Sequence, residues 1–328
     1  MTQFPLLSLP SVALEHVVKL FDPFELFDLS QCSRKSVAVV RLAGTKRYKL
    51  SLDYNGVVVN EKYKFGTGIC KNFDMLEKRK LLLANGKEIF VGSYRGCWDL
   101  RNFYFVDRDL GLQTILFRLA ELFGCRIDSI NTGKYFSGKI QRSIIGQVIE
   151  KQKEIRRLVI DKNLNENNLR WILDNLTITD YCRCEVSTSP EFGYEFKSYT
   201  RALSIHRSHW FKLDDLIAAA KFCVVIRLFE SELKNKDIDV FMKAWSSGDF
   251  PTLQYLFVES DNLNERDQIL GRVPAQWWDE NGRFVREIID GRSYRMNNGV
   301  KFRRDNGIEA EVEMNLEAYK KHFRLYVI

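Results

Sequence analysis

Side chains able to do chemistry are sparse in this chain and poorly grouped. Its 328 residues include four histidines, at positions 16, 206, 209 and 322, and seven scattered cysteines. His206 and His209 are close, but strand-like spacing sends them to opposite faces, and no cysteine or acidic cluster follows at ligand distance. Cys182-x-Cys184 lacks both the two-residue spacer and the second pair of a zinc site; it reads as one buried and one exposed thiol. There is no G-x-S-x-G, no Ser or Cys set against a His, and no phosphate-cradling glycine loop. The acidic pair Asp214-Asp215 sits where a helix start favours negative charge. These residues make no positive case for a metal, a cofactor or an enzyme; a βα enzyme with a decayed motif is the weaker alternative. The chemistry they do suit is recognition. Arg227, Phe229 and Phe257 combine an arginine with two aromatics, the usual make-up of a binding hot spot, and Ser204 and His206 belong to the same pattern of positions.

Those five residues come together only if the strands that carry them are stacked. From Leu110 onward, short strand patterns alternate with helical ones. A helical stripe of Leu112, Ile115, Leu116, Leu119 and Phe123 ends at Gly124. Then an apolar-x-apolar core recurs: Leu158-x-Ile160, Leu176-x-Ile178, Leu203-x-Ile205, Ile226-x-Leu228 and Leu256-x-Val258. Helical stretches alternate with most of them, at irregular spacings within the range of βα solenoid units. One strand plus one helix cannot bury its own face, so stacking must make the core. This predicts an irregular leucine-rich-repeat-like βα array over 109–270, with a polar insertion over 183–199. A doubly wound α/β sheet is the competing architecture. The absence of a glycine-rich loop and the polar residues inside the short strands weigh against it. In the array the apolar pairs point inward, and Ser204, His206, Arg227, Phe229 and Phe257 gather on the other face as the candidate substrate surface. A register slip of one residue turns Phe229 and Phe257 inward instead.

The segments on either side are distinct. Residues 46–108 switch to period two, with Asn55-Gly56 and Asn85-Gly86 as turn dipeptides and Cys97-Trp98 to Phe105-Val106 as a further strand, a small antiparallel sheet. Residues 271–328 are predicted as β-hairpins: strands over Gly282–Ile289, Ser293–Met296 and Val300–Arg304 joined through Asn298-Gly299, then Ile308–Met314 and a short helix over 316–323. The six tryptophans read as core and edge packing, with Trp277-Trp278 one exposed and one buried.

The N-terminal stretch Phe4–Leu42 packs three short helical patterns. Leu14, Val17, Val18 and Phe21 form one stripe; Asp22-Pro23 with Glu25 is a start signal for a second helix bearing Leu26, Leu29 and Cys32; Ser33 caps a third, where Val37 and Val40 share a side. Forty residues bury too little surface to be stable alone. Leu9-Pro10, the aliphatic run, Asp22-Pro23, Leu26, Leu29-Ser30 and Cys32-Ser33 before Arg34-Lys35 resemble an F-box in order and spacing. The chain departs from the common pattern at Val12, where many F-boxes carry an acidic residue. Near the C-terminus, Arg303-Arg304-x-x-Gly307-x-x-Ala310, the Leu176–Ile178 strand and Trp210-Phe211-x-Leu213-Asp214-Asp215-Leu216 resemble the type 2 F-box-associated domain of the nematode-type F-box family.

The resemblance implies an α+β chain: an N-terminal three-helix F-box over 1–45, then a substrate-binding region over 46–328 made of the small β segment, the βα array and the closing hairpins. It implies that Leu9, Pro10, Leu14, Val17, Val18, Phe21, Leu26, Leu29 and Cys32 dock on the Skp-type adaptor of a cullin–RING ubiquitin ligase, while the rest binds a protein substrate. The chain would then be a non-catalytic ubiquitin ligase adaptor, cytoplasmic or nuclear. An adaptor-binding scaffold without a degradation role needs the same docking surface. The βα array and hairpins are expected to keep their core when residues 1–45 are removed.

Composition agrees. A hydrophobic content of 45% with 13% aromatics builds a large core, and only 6 prolines and no low-complexity tract argue against extended disorder. No apolar run approaches spanning length, and no signal-peptide pattern opens the chain. The odd cysteine count fits reduced thiols. The net charge of +7 is dispersed over short clusters, Lys78-Arg79-Lys80, Arg156-Arg157 and Arg303-Arg304, which read as solvated surface and not as a nucleic-acid stripe.

Overall fold

Local signals place the first helices. Helix α1 (Ser11–Lys19) is followed by α2 (Pro23–Cys32), which starts on a reciprocal capping box. The backbone N–H groups of Phe24 and Glu25 donate to Asp22 Oδ1 at 2.8 Å each, and Asp22 N–H donates to Glu25 Oε2 at 2.9 Å. Ser36 N–H donates to Ser33 Oγ at 3.1 Å and opens α3 (Arg34–Val40). In this computed structural model the described residues are 6–69, 77–82, 88–95, 100–105, 107–133, 136–277, 283–289, 292–297 and 299–328. The chain divides into two compact units, Met1–Ile155 and Arg156–Ile328.

The first unit places the three helices on a sheet. Its strands are β1 (Leu50–Asp53), β2 (Gly56–Val59), β3 (Tyr63–Ile69), β4 (Glu77–Leu82), β5 (Glu88–Arg95), β6 (Leu100–Phe105) and, after helix α4 (Arg108–Phe123), β7 (Ile127–Asn131). They lie in the order β7-β1-β2-β3-β6-β5-β4. The antiparallel sheet expected here is in fact mixed, because β1 runs parallel to β7 and β3 parallel to β6. Strands β2 to β6 and helix α4 separate β1 from β7 in the chain, and the β4–β5 hairpin separates β3 from β6; connections of that length allow parallel neighbours. The first hairpin turns on Tyr54 and Asn55, one residue earlier than Asn55-Gly56, since Asp53 pairs with Gly56. Gly56 is held in the strand by crowding: a Cβ there would meet Phe65 O at 2.6 Å. Helix α4 ends as expected at Gly124, whose φ is +62°, and α5 (Gly138–Gln152) follows β7. Leu83, Asn85, Gly86, Cys97, Trp98 and Val106 lie outside the described residues, as do Phe4, Gly282, Trp278 and Asn298.

Helix α2 seals that sheet. Phe24 and Phe27 lie 4.8 and 5.5 Å from Phe65, and Phe27 lies 5.5 Å from Phe103. Buried Arg101 is paired with Asp28, Nη2 to Oδ2 at 2.7 Å, and Thr45 Oγ1 donates to Phe123 O at 2.7 Å. Removing residues 1–45 would therefore uncover the rings of Phe65 and Phe103 in this unit.

In the second unit the chain alternates β8 (Glu154–Ile160), α6 (Glu166–Asn175), β9 (Thr177–Cys184), β10 (Ala202–Ile205), α7 (Leu213–Ala220), β11 (Val225–Leu228), α8 (Asn235–Ser247) and β12 (Tyr255–Glu259). The strands sit side by side in chain order from β8 to β12, and β9 through β12 pair in parallel. Sequential addition without a reversal is what a stacked βα array requires; a doubly wound sheet reverses at a switch point. Opposite Leu203 and Ile205, β9 presents Cys182 and Cys184, not Leu176 and Ile178. Both thiols are buried, correcting the reading of one as exposed, and burial pushes Cys184 up to about 12 and Cys182 higher still. The polar string after β9 is tied down by its aromatics: Phe192 lies 5.0 Å from Trp210, and Phe196 lies 5.1 Å from Tyr194 and 5.4 Å from Tyr199.

Five C-terminal strands close the unit: β13 (Arg283–Ile289), β14 (Arg292–Asn297), β15 (Val300–Arg303), β16 (Glu309–Asn315) and β17 (His322–Val327). The predicted hairpin between Ser293–Met296 and Val300–Arg304 does not form. β14 pairs back onto β13 as a separate two-stranded sheet, while β15, β16 and β17 extend the array from the far edge of β12. The helix expected over 316–323 does not form: residues 316–320 are bends, and from His322 the chain enters β17, because the open edge of β12 offers backbone partners and alternate residues Phe323 and Leu325 are buried. Arg304 is not solvated surface. It is buried over the Trp245 ring at 3.9 Å and donates to Phe250 O at 3.3 Å, while Gly307 supplies a φ of +89° and Ala310 is buried.

Candidate functional site

Two surfaces bear the predicted residues, one in each unit. On the N-terminal helices, Leu14, Val18 and Leu26 are buried within the chain itself, against the expectation that they form a docking face. The reason is helical period: the stripe read from spacing is the one that packs inside the helical region, where α1 meets α3 and the turn over Arg41–Ala43. Leu9, Val17, Phe21 and Leu29 are half-buried, and Pro10 and Cys32 are exposed. The outward face of α1 carries residues the sequence reading passed over. Val12 is 66% exposed and Leu20 85% exposed, with exposed His16 between them at helical spacing. Leu42 is exposed as well. The signal was present in the sequence, as a second apolar stripe offset from Leu14 and Val18.

On the βα array, the predicted register holds. Leu203, Ile205, Ile226, Leu228, Leu256 and Val258 are buried on one side, and Ser204, Arg227 and Phe257 occupy one row on the other. That row continues outward to Arg183 on β9 and Arg324 on β17. The second face is not a free surface, however. Tyr294 of β14 lies 4.7 Å from Tyr255, and these two join Ala202, Val225, Phe257 and Tyr326 in a buried cluster. Ser204 is 1% exposed and Phe257 8%, so both leave the exposed set; Arg227, Phe229 and His206 stay half-buried at its rim.

The rim is cationic and aromatic. The Arg227 guanidinium lies 4.8 Å from the Phe229 centroid, 5.9 Å from Phe257 and 6.0 Å from Tyr294. His206 stacks on Phe229 at 4.3 Å, and its pKa is pushed down to about 4 by burial, with Arg183 and Arg227 adding to the effect. Arg324 lies 5.3 Å from the Phe257 ring and pairs with Glu313 at 3.3 Å, and Glu313 also meets His322 at 3.2 Å. This arrangement holds charge and flat apolar groups; it does not pair a nucleophile with a base. Two open clefts of about 410 and 480 Å³ also occur in this unit, one beside Pro274 and Glu317 and one beside Asn264 and Lys321, neither lined by Ser, Cys or His. Among the described residues no His/Cys/Asp/Glu group is arranged to hold a metal, and no helix is long and apolar enough to cross a membrane.

Comparison with known proteins matches both regions. A family model for the F-box domain covers residues 6–44, and one described as F-box associated covers residues 191–258. The first match spans α1 to α3; the second runs from the aromatic loop through β10, β11 and most of β12. No curated protein and no solved structure matches the chain.

Proposed function

We propose, from the premise that this chain is an F-box protein with an F-box associated domain, that it is the substrate-recognition subunit of a Skp–cullin–F-box ubiquitin ligase. Residues 1–45 dock on the Skp-type adaptor, and a protein substrate binds within residues 46–328. The observation that carries the reading is the outward apolar face of α1: Val12 and Leu20 are large aliphatic side chains that the rest of the chain leaves uncovered inside the F-box match. Uncovered apolar side chains clustered on a short element suit a partner surface. The docking set supported by burial is Pro10, Val12 and Leu20, with Leu9, Val17, Phe21, Leu29 and Cys32 at its margins, while Leu14, Val18 and Leu26 hold the helices together. The substrate face is the rim of Arg227, Phe229 and His206. Ubiquitin transfer itself belongs to other subunits, so the chain acts by bringing two proteins together.

The test is reconstitution. The full-length chain, a Skp-type adaptor, a cullin and a RING subunit should ubiquitinate a protein that co-purifies with the chain. Val12→Asp with Leu20→Asp should abolish both adaptor binding and modification. A double variant that still co-purifies with the adaptor ends the docking assignment, and a complete complex that binds the partner without modifying it supports a scaffold instead.

A further inference from the structure

Three residues in one row across the array are arranged as an anion cradle. Ser204 stands on β10 with Arg183 opposite it on β9 and Arg227 opposite it on β11, all on the same face. Ser204 Oγ is buried and has no hydrogen-bond partner, and the Nε atoms of Arg183 and Arg227 are likewise buried and unbonded. Buried polar groups in folded proteins are nearly always bonded, so three unbonded donors in one row mark a place where an acceptor belongs. The charges point the same way. Arg183 is bridged to Glu185 at 2.5 Å, but Arg227 has no acidic partner among the described residues; it is held only by the faces of Phe229, Phe257 and Tyr294. A guanidinium fixed on aromatic rings keeps its donor fork free for a planar or tetrahedral oxyanion.

The other ionisable groups leave that charge in place. His206 touches the same Phe229 ring and feels Arg183, Arg227, Arg207 and Glu230; it is neutral near pH 7, so it adds no competing charge. Glu259 is bridged to Lys320, and Glu313 to Arg324 and His322. The cradle opens on the Arg183 side, where that side chain is 40% exposed.

We infer that the row Arg183–Ser204–Arg227 receives an anionic side chain of a bound peptide, with Phe229 flanking it as an apolar wall. This inference rests on the substrate face assigned above and names what that face selects. The shared chemistry is an oxyanion, supplied by a carboxylate or by a phosphorylated hydroxyl.

Binding of the full-length chain to short degenerate peptide pools, fixed at the centre as phosphoserine, glutamate or serine, tests it. At low salt, at least one anionic pool should bind roughly tenfold to a hundredfold more tightly than the serine pool. Arg227→Met, which keeps much of the side chain's packing, and Arg183→Met should each erase most of that preference while melting near the wild-type temperature. The stronger of the two anionic pools identifies the source of the oxyanion. Equal binding of all three pools overturns the inference, as does a preference that survives in both variants, or tighter binding of a single-stranded oligonucleotide than of any peptide. Should Arg227→Met fail to fold, Arg183→Met decides alone, because its side chain is the more exposed. Failure of the substrate face is separately visible. Variants that still recruit the co-purifying partner in the ubiquitination assay overturn the face, whereas loss of the partner without an anionic preference overturns only the ligand class.

Discussion

The N-terminal helices and the βα array treat their second faces differently. Helix α1 buries Leu14 and Val18 on one side and turns Val12 and Leu20 outward with no cover from the chain. The array also has two apolar faces, but its second one is roofed by its own C-terminal hairpin, through Tyr294 on Tyr255. The outward residues of α1 stay open to solvent. A sheet with two apolar faces that supplies its own cover exposes only a rim, and what reaches that rim meets Arg183, His206, Arg227 and Phe229. The contrast separates an uncovered apolar face, proposed to dock an adaptor, from a small cationic and aromatic rim, proposed to bind a substrate.

The sharpest way to break the comparison is to charge the inner stripe. Leu26→Asp places a carboxylate among apolar neighbours with no partner, and should cost about 4 kcal/mol or more and abolish cooperative melting of the first unit. Circular dichroism melts check this, and a variant that melts like the wild type would show that the stripe is not core. Removing residues 1–45 should act in the same direction, because Phe65 and Phe103 lose Phe24 and Phe27.

Next in size is the roof. Tyr294→Ala should lower stability by about 3 kcal/mol in denaturant titration, as truncation of a buried aromatic does, and should leave adaptor binding intact. Loss of adaptor binding in that variant would mean the two surfaces are not independent. Asp22→Ala removes the α2 cap and should cost about 1 kcal/mol.

The rim adds a pH signature. His206 takes up its proton near pH 4 in the folded chain and near 6.5 when unfolded. Its contribution to stability is therefore complete above about pH 6.5 and is lost as pH falls toward 4, since only the unfolded state is protonated across that window. Melting temperatures from pH 7 to pH 4 should fall less steeply in His206→Gln; equal slopes would place His206 in solvent. The smallest stability effect belongs to the outward face of α1, the proposed docking face. Val12→Asp with Leu20→Asp should stay within about 0.5 kcal/mol of the wild type while adaptor co-purification is lost.

Much of this was legible in the residues. Asp22-Pro23-x-Glu25 predicts a capping box because all of its partners lie within one turn, and the cap forms as read. Gly124 ends α4 for an equally local reason. The alternation Leu203-x-Ile205 and Ile226-x-Leu228 gives the strands and their inner sides, since side-chain direction in a strand follows from position alone. The strand order of the array follows from the same alternation, because each βα unit needs the next to cover it.

What the sequence did not determine depends on distant partners. Cys182 and Cys184 share the face of Leu176 and Ile178 by strand period, but that the thiols and not the aliphatic pair stand opposite Leu203 and Ile205 is decided by pairing between distant segments. Residues 316–323 have a helical pattern, yet the chain beyond His322 is a strand because the edge of β12 offers it a ladder. Leu14 and Val12 are both aliphatic and two residues apart; which one faces the core is set by where α3 and the turn over Arg41–Ala43 stand, and no local preference encodes that. The same holds for Ser204 and Arg227. Strand periodicity puts them on the second face, but tertiary structure alone decides that Ser204 is buried there while Arg227, 6.0 Å from the Tyr294 ring of the far hairpin, stays at the rim.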